Sequence, residues 1–330
     1  MSIVSKYEHI QVKVYHGYGH KHNLTIFGHV YENKHPARKK YTNNILSNII
    51  YLLRLFFIKP IPRVPVQLQW NNQYFTGTTE QDGFFKFEWE SEEDVPAGWH
   101  LLLIHVLDET GRPVKTGEGK IFVPHVTQYA FISDIDDTVM VSHSASIFKR
   151  LRVLFANNPH SRKAFQDVVH HYKLLSMAAT EQDTPNPFFY VSSSEWNLYE
   201  DLKEFFRHNQ LPEGAFLLSQ LKRWYQLFKT GKTKHEGKLL RVYRILYAFP
   251  NQRFILIGDN SQSDPAIYKT ICEKHPDRIH AVYIRNIVEK KSNSARQLLA
   301  EIEKHEIYTC LFDTNEAAIL HSQKIGLING

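Results

Sequence analysis

The apolar run Tyr129-Ala130-Phe131-Ile132 leads straight into Ser133-Asp134-Ile135-Asp136-Asp137-Thr138. Such a run reads as a short buried β-strand, so the carboxylates that follow crowd its carboxyl end. There they repel one another and face a desolvation cost, which a bound divalent cation commonly offsets. The Asp-x-Asp-x-Thr pattern also sets two chemical tools two residues apart. One is a carboxylate nucleophile able to form an acyl-phosphate, and the other is a carboxylic acid able to protonate a leaving oxygen. An acidic turn that merely ends a strand is the plainer reading of the pentapeptide alone.

Two later segments have the same form. Phe188-Phe189-Tyr190-Val191 is a second apolar strand and ends in Ser192-Ser193-Ser194; Leu198, Tyr199, Leu202, Phe205 and Phe206 then recur at helical spacing. Ser192 is expected at a strand terminus just before a helix, where free amides favour an anion, although a serine there is also an ordinary N-cap. The third strand, Arg253 to Ile257, runs into Gly258-Asp259, with Asp264 five residues on. Before it, from Gly237 to Pro250, Leu239, Val242, Tyr243 and Leu246 define one helical face, and Lys238 opens the stretch. A lysine in a first helical turn opposes the dipole. That local conflict points to an anionic partner for the ammonium, against the plainer reading of a solvated side chain.

Taken in order, these segments look like the four signature motifs of the haloacid dehalogenase superfamily of phosphotransferases. The text around them resembles the fungal actin-patch type phosphatidate phosphatases and their uncharacterised bacterial relatives. The resemblance rests on Ser133 to Val139, on Tyr190-Val191-Ser192 with Trp196, on Gly258-Asp259 leading to Asp264-Pro265 and Tyr268, and on Tyr283-Ile284-Arg285. Tyr15 to Gly19 and Thr25 to Val30 extend it, so that it covers roughly residues 12–290. In the bacterial pattern His and Lys are adjacent before the third strand. Here His235-Glu236-Gly237 precedes Lys238, which is matched by its distance from Phe249-Pro250, with Lys234 as the alternative.

The resemblance implies an enzyme, a Mg²⁺-dependent phosphatase that hydrolyses phosphatidate or a similar phosphomonoester through an aspartyl-phosphate. Asp134 would be the nucleophile and Asp136 the general acid and base. Thr138, Ser192 and Lys238 would serve the phosphoryl group. Asp134, Asp259, Asp264 and the Asp136 carbonyl would hold Mg²⁺, a hard cation suited to oxygen ligands. Two competing readings keep less of this: a phosphatase of a soluble phosphate ester or phosphoprotein, and a membrane-binding module whose phosphatase site is vestigial.

At 330 residues the chain is long enough for two domains with separate cores. Residues 1–125 read as β-rich. The runs Leu24–Tyr31, Val64–Trp70, Phe84–Trp89 and Trp99–Val106 are broken by turn signals such as Gln81-Asp82-Gly83 and Pro96-Ala97-Gly98, which predicts an antiparallel β-sandwich. Over 126–330 strands alternate with helices. An α/β fold with a doubly wound, mainly parallel sheet is therefore expected, haloacid dehalogenase-like by the resemblance, with every motif at a strand's carboxyl end or a helix start. About 146–180 lies an insertion expected to form a helical cap. Its Lys149, Arg150, Arg152, Arg162 and Lys163 either steer an anionic substrate or form a solvated face.

The formal charge of +6 favours an anionic partner. Phosphatidate is the partner that the resemblance implies, and no nucleic acid is expected. The insertion at 34–61 places Lys34, Arg38, Lys39 and Lys40 before the apolar stretch Ile45 to Ile61. That make-up fits an interfacial helix on an anionic membrane, with Phe56 and Phe57 inserting, and equally a helix packed within the protein. The stretch falls short of the ~20 residues a spanning helix needs. Met1 to Lys6 lacks the apolar core of a signal peptide, and the two cysteines fit a reducing compartment. The expected location is cytoplasmic, peripheral at the membrane if 34–61 contacts lipid.

Overall fold

The computed structural model describes residues 9–32, 44–140, 160, 164–165, 167–220 and 234–329. Two compact units result, the first drawn from Met1–Lys40 and Ile50–Pro124, the second from Tyr41–Ile49, His125–Gln220 and Thr230–Gly330.

The first unit is built from β1 (Ile10–Val14), β2 (Gly17–His20), β3 (Asn23–Glu32), β4 (Lys59–Pro60), β5 (Pro65–Trp70), β6 (Gln73–Thr78), β7 (Phe84–Trp89), β8 (Gly98–Leu107) and β9 (Pro113–Val123). Alternation along the strands sends every second residue inward, as the two-residue period of a strand requires. Val66, Leu68 and Trp70 of β5, Phe85, Phe87 and Trp89 of β7, and Leu102, Ile104 and Val106 of β8 meet in one core. The hydrogen bonding differs from a two-sheet sandwich, because these strands join a single mixed sheet in the order β1-β3-β2-β9-β8-β5-β6. β3 is the reason. Its ten residues pair with β1 and β2 along one edge and with β7 and β4 along the other. β2 then continues the network by pairing in parallel with β9. The Phe75 and Trp89 rings, 6.0 Å apart, bring β6 toward β7 through side chains rather than hydrogen bonds.

Helix α1 (Ile45–Phe56) follows β3 in sequence. Among the described residues no helix is long and apolar enough to cross a membrane. The cations Lys34, Arg38, Lys39 and Lys40 lie outside the described residues, as do Lys149, Arg150, Arg152, Arg162 and Lys163 of the expected cap.

The second unit alternates β10 (Tyr129–Ser133), α2 (Val168–Ser176), β11 (Phe188–Glu195), α3 (Tyr199–His208), β12 (Gly214–Ser219), α4 (Lys234–Ala248), β13 (Arg253–Asp259), α5 (Asp264–Lys274), β14 (Ile279–Arg285), α6 (Ser292–Glu303), β15 (Tyr308–Phe312) and α7 (Asn315–Lys324). All six strands are parallel, in the order β12-β11-β10-β13-β14-β15. β10, β11 and β14 are buried along their whole length, which is why they read as unbroken apolar runs rather than as alternation. The chain starts at β10, adds strands outward to β12, then returns to β13 on the other side. The crevice at such a reversal, at the carboxyl ends of the strands, is where open α/β sheets bind ligands.

Candidate active site

Asp134 immediately follows β10, and Asp259 is the last residue of the neighbouring β13. The Asp134 amide donates to the Ile257 carbonyl at 2.8 Å, which extends the β10–β13 pairing by one more bond and holds the two carboxylates side by side. The loop beyond Asp134 then curls around a single acceptor. The amides of Thr138, Val139 and Met140 all donate to the Ile135 carbonyl, while Asp137 takes a left-handed backbone (φ 62°) and donates to the Met140 carbonyl. Arg285, at the end of β14, donates from Nε to the Thr138 carbonyl at 3.1 Å and from Nη2 to Asn315 Oδ1 at 2.9 Å. Its guanidinium lies 4.2 Å from the Phe165 ring and 4.8 Å from the Phe312 ring.

Asp264 opens α5, with Pro265 in the first turn, where a missing amide hydrogen is no loss. Gly258 allows α5 to return so close to β13. A Cβ there would collide with the Asp264 carboxylate and with the ring of Tyr268, whose hydroxyl donates to the Ile257 carbonyl at 2.9 Å. One oxygen from each of Asp134, Asp259 and Asp264 therefore lies within 4.8 Å of the other two, and all three residues are buried.

Lys238 completes this cluster. Its Nζ donates to Asp134 Oδ1 at 2.7 Å and also to Asp264 Oδ1, and the residue is only 3% exposed. It stands in the second turn of α4 rather than the first, because the helix begins at Lys234, and its partners are carboxylates rather than solvent. Burial works to strip its proton, but Asp134 and Asp264 outweigh burial and hold the ammonium charged. The pKa of Asp134 is raised as well, here toward the neutral form: burial outweighs the lowering by Lys238, and Asp264, Asp259 and Asp136 add to the rise. Burial and Asp264 likewise push Asp259 up to about 7. Lys238 is therefore the fixed cation, and Asp134 and Asp259 are the carboxylates whose protonated form is favoured. Asp134 Oδ2 is buried and has no hydrogen-bond partner among the described residues. An all-oxygen donor set with excess negative charge and an unpaired buried acceptor fits a hard divalent cation.

Asp136 is held differently. Ser192 and Ser194 both donate to its Oδ2, at 2.8 and 2.7 Å, and the Ser194 amide donates to Ser192 Oγ at 2.9 Å. Ser192 thus lies inside β11, seven residues before α3, rather than at a strand terminus just before that helix. β11 continues through the serines because Glu195 still pairs with Ser219 of β12. Thr138 Oγ1 lies 3.5 Å from Asp259 Oδ2, the limit of a hydrogen bond. All seven residues expected from the sequence converge, but the carboxylate of Asp136 stands apart from the three-carboxylate group. Ser194 and Arg285 carry roles that their residue types alone did not signal. Ser194 was legible only as part of a serine run, and Arg285 only as part of the Tyr283-Ile284-Arg285 segment of the resemblance, with no role attached.

Residues 129–286 match the family model described as phosphatidate phosphatase APP1, catalytic domain. Phosphatidate phosphatase APP1 of Saccharomyces cerevisiae is 27% identical over 243 residues, which is 70% of this chain and 39% of that protein. An uncharacterised protein of Schizosaccharomyces pombe is 25% identical over 162 residues, 48% of this chain and 25% of that protein. The chain thus spans two fifths or less of the length of these curated relatives. A solved carbohydrate acetylesterase from Xanthomonas citri covers 94% of this chain and 72% of its own at 9% identity, with a TM-score of only 0.32. The chain resembles the actin-patch type phosphatidate phosphatases, and the matched segment contains all seven site residues.

The charge balance has a measurable consequence. Between its ordinary 3.8 and about 7, Asp259 binds a proton in the folded protein that the unfolded chain has released. Stability of the cation-free protein should therefore fall as pH rises through that window, and Asp134 acts in the same direction. A divalent cation replaces those protons. In thermal melts, Mg²⁺ should raise the melting temperature over an EDTA control by more at pH 8 than at pH 5. A shift independent of pH, or no shift, would count against cation binding by these carboxylates.

Proposed function

We propose that this chain is a Mg²⁺-dependent phosphatidate phosphatase that works through an aspartyl-phosphate. In this reading residues 126–330 form a doubly wound, haloacid dehalogenase-like catalytic domain, preceded by the β-rich domain 1–125. One observation carries the proposal: Asp134 is buried, has one oxygen held by Lys238 and the other unpaired, and sits beside Asp259 and Asp264. The match of residues 129–286 to the APP1 catalytic domain supports phosphatidate as the substrate.

Asp134, Asp259 and Asp264, with the Asp136 carbonyl, would hold Mg²⁺, which when bound neutralises charge on the phosphoryl oxygens. The protein's own groups do the rest. Asp134 attacks phosphorus, and the ester oxygen leaves with a proton taken from Asp136. The Asp134 acyl-phosphate is then opened by water, whose proton returns to Asp136, so that phosphate and the Asp134 carboxylate are restored. Ser192 and Ser194 fix the Asp136 carboxyl in one orientation for both proton transfers. Ser192 reaches the phosphoryl group only by releasing that bond, and Thr138 holds the loop against Asp259. Lys238 retains one N–H beyond its two carboxylate bonds for a phosphoryl oxygen.

The lipid reading extends to the segment 34–61. Phe56 is 3% exposed and is part of the core, so it is not an inserting residue, whereas Leu46, Ile50 and Phe57 are 66%, 43% and 49% exposed. Phosphatidate in anionic vesicles should be hydrolysed faster than glycerol phosphate or a phosphopeptide. Phe57→Ser should reduce vesicle binding and phosphatidate turnover while sparing p-nitrophenyl phosphate. Faster turnover of the soluble esters would move the substrate assignment to them.

Asp134→Asn keeps the shape but cannot form the acyl-phosphate. Turnover should drop by about a thousandfold or more, with the fold retained by circular dichroism. Activity within about tenfold of wild type would sink the nucleophile assignment.

Asp136→Asn removes the proton donor instead. Alkyl phosphates should lose about 10²–10⁴ in turnover, and p-nitrophenyl phosphate, with its good leaving group, much less. Equal losses on both would show that Asp136 is not the general acid.

A further inference from the structure

Lys238 is heavily committed, since two of its three donors go to Asp134 and Asp264. A phosphoryl group presents three oxygens and up to two negative charges, so a site that binds it tightly needs further donors. One turn along α4 stands Arg241. The spacing i, i+3 puts it on the same helical face as Lys238. Its Nη2 reaches the Ser192 carbonyl at 3.5 Å, a long contact to the strand end that also holds Asp136 through the Ser192 hydroxyl. Its Nε is buried and has no hydrogen-bond partner among the described residues. No ion pair to Arg241 is present among them either, although guanidinium groups are seldom left buried without an acceptor.

Gly237, one turn before it, lies close to this cation: a Cβ there would stand 3.5 Å from Arg241 Nη1, in ordinary contact with the guanidinium. Burial and the nearby Arg244 lower the Arg241 pKa to about 10, with Asp134 opposing them, so the group remains charged at neutral pH. Arg241 is thus a half-buried cation with donors to spare, within electrostatic reach of Asp134 and in contact with the strand end whose Ser192 hydroxyl holds Asp136.

We infer that Arg241 is a second cationic ligand of the substrate's phosphoryl group, and that its guanidinium grips the oxygens Lys238 cannot reach. This rests on the phosphatase reading of the site. The planar fork of Arg suits two phosphoryl oxygens at once, whereas a lysine there would offer a point charge. The consequence is selectivity for a phosphomonoester, which has oxygens to spare for the fork, over a phosphodiester, in which one of them is esterified.

The test is the affinity of the Mg²⁺-loaded full chain for inorganic phosphate, measured by calorimetry, alongside hydrolysis of p-nitrophenyl phosphate. Arg241→Ala should weaken phosphate binding at least tenfold and raise KM by a similar factor, with the melting temperature held near wild type. Added guanidinium ion should restore part of the KM loss, a response that a merely structural role would not give. Arg241→Lys should recover less than half of the lost affinity, and Arg244→Ala, on the exposed side of α4, should stay within twofold of wild type. Phosphate affinity unchanged in Arg241→Ala, or lost in proportion to melting temperature without rescue by guanidinium, would overturn the assignment while leaving the phosphatase reading intact. If wild type binds phosphate and Arg241→Ala does not, but neither hydrolyses any ester, the assignment stands and the phosphatase reading falls. A wild-type chain that binds no phosphate with Mg²⁺ present would overturn both.

Discussion

The ammonium of Lys238, buried between Asp134 and Asp264, is the contact on which the second unit is organised. It joins three places far apart in sequence: the loop after β10, the second turn of α4 and the first residue of α5. A buried pair of this kind is poor evidence of net stability, because desolvation of the charges offsets most of their attraction. Its value is geometric. Removing one partner leaves an uncompensated charge in a dry place, at a cost of about 3–5 kcal/mol, so arrangements that separate these groups are strongly disfavoured. Gly258 and Tyr268 serve the same end from the strand side, since the missing side chain and the hydroxyl bond to Ile257 let α5 close on β13.

Around that contact the site separates its carboxylates by environment. Asp134, Asp259 and Asp264 answer to Lys238 and to one another, and burial with the neighbouring carboxylates favours the protonated form of Asp134 and Asp259. Asp136, two residues from Asp134, is turned to a pair of serine hydroxyls on β11. The curl of Ile135 to Met140 makes this possible, by sending adjacent acidic side chains to different partners, and Arg285 pins it from β14. Two carboxyl groups of one short loop thereby acquire environments suited to different roles, the general way in which one residue type performs two tasks.

Much of this was legible in the sequence for a simple reason. Strands buried on both faces spell continuous apolar runs, so β10, β11 and β13 and the polar groups at their carboxyl ends stood out. What failed was local. Ser192 read as the terminus of its strand, yet pairing of Glu195 with Ser219 carries β11 past the serines. Lys238 read as the opening of a helix that in fact begins a turn earlier, and Phe56, which read equally as a membrane-inserting or a packed side chain, is buried. The sandwich of the first unit became one mixed sheet because β3 pairs on both edges, a long-range property that alternation cannot encode. Arg241 carried no signal at all. An arginine on a helix is ordinarily solvated, and only the fold shows that its Nε faces no acceptor.

A site of this composition works against the stability of the unit that holds it. Three buried carboxylates, a buried lysine and a part-buried arginine with an unpaired donor each carry a desolvation cost that hydrogen bonds inside the cluster meet only in part. The surrounding sheet must supply the difference, and it has the means. Phe131, Phe188, Phe189, Phe254 and Ile255 lie fully buried in adjoining strands, and each buried side chain of that size contributes about 1.5–3 kcal/mol. The Phe131 and Phe188 rings stack at 4.7 Å one strand apart, three residues below the Asp134 carboxylate in the sequence. The apolar runs that announce the strands are therefore also what keep a charge-dense crevice folded while its ligands are absent. Stability and chemistry sit on the same strands, one in the buried rows and the other at their carboxyl ends.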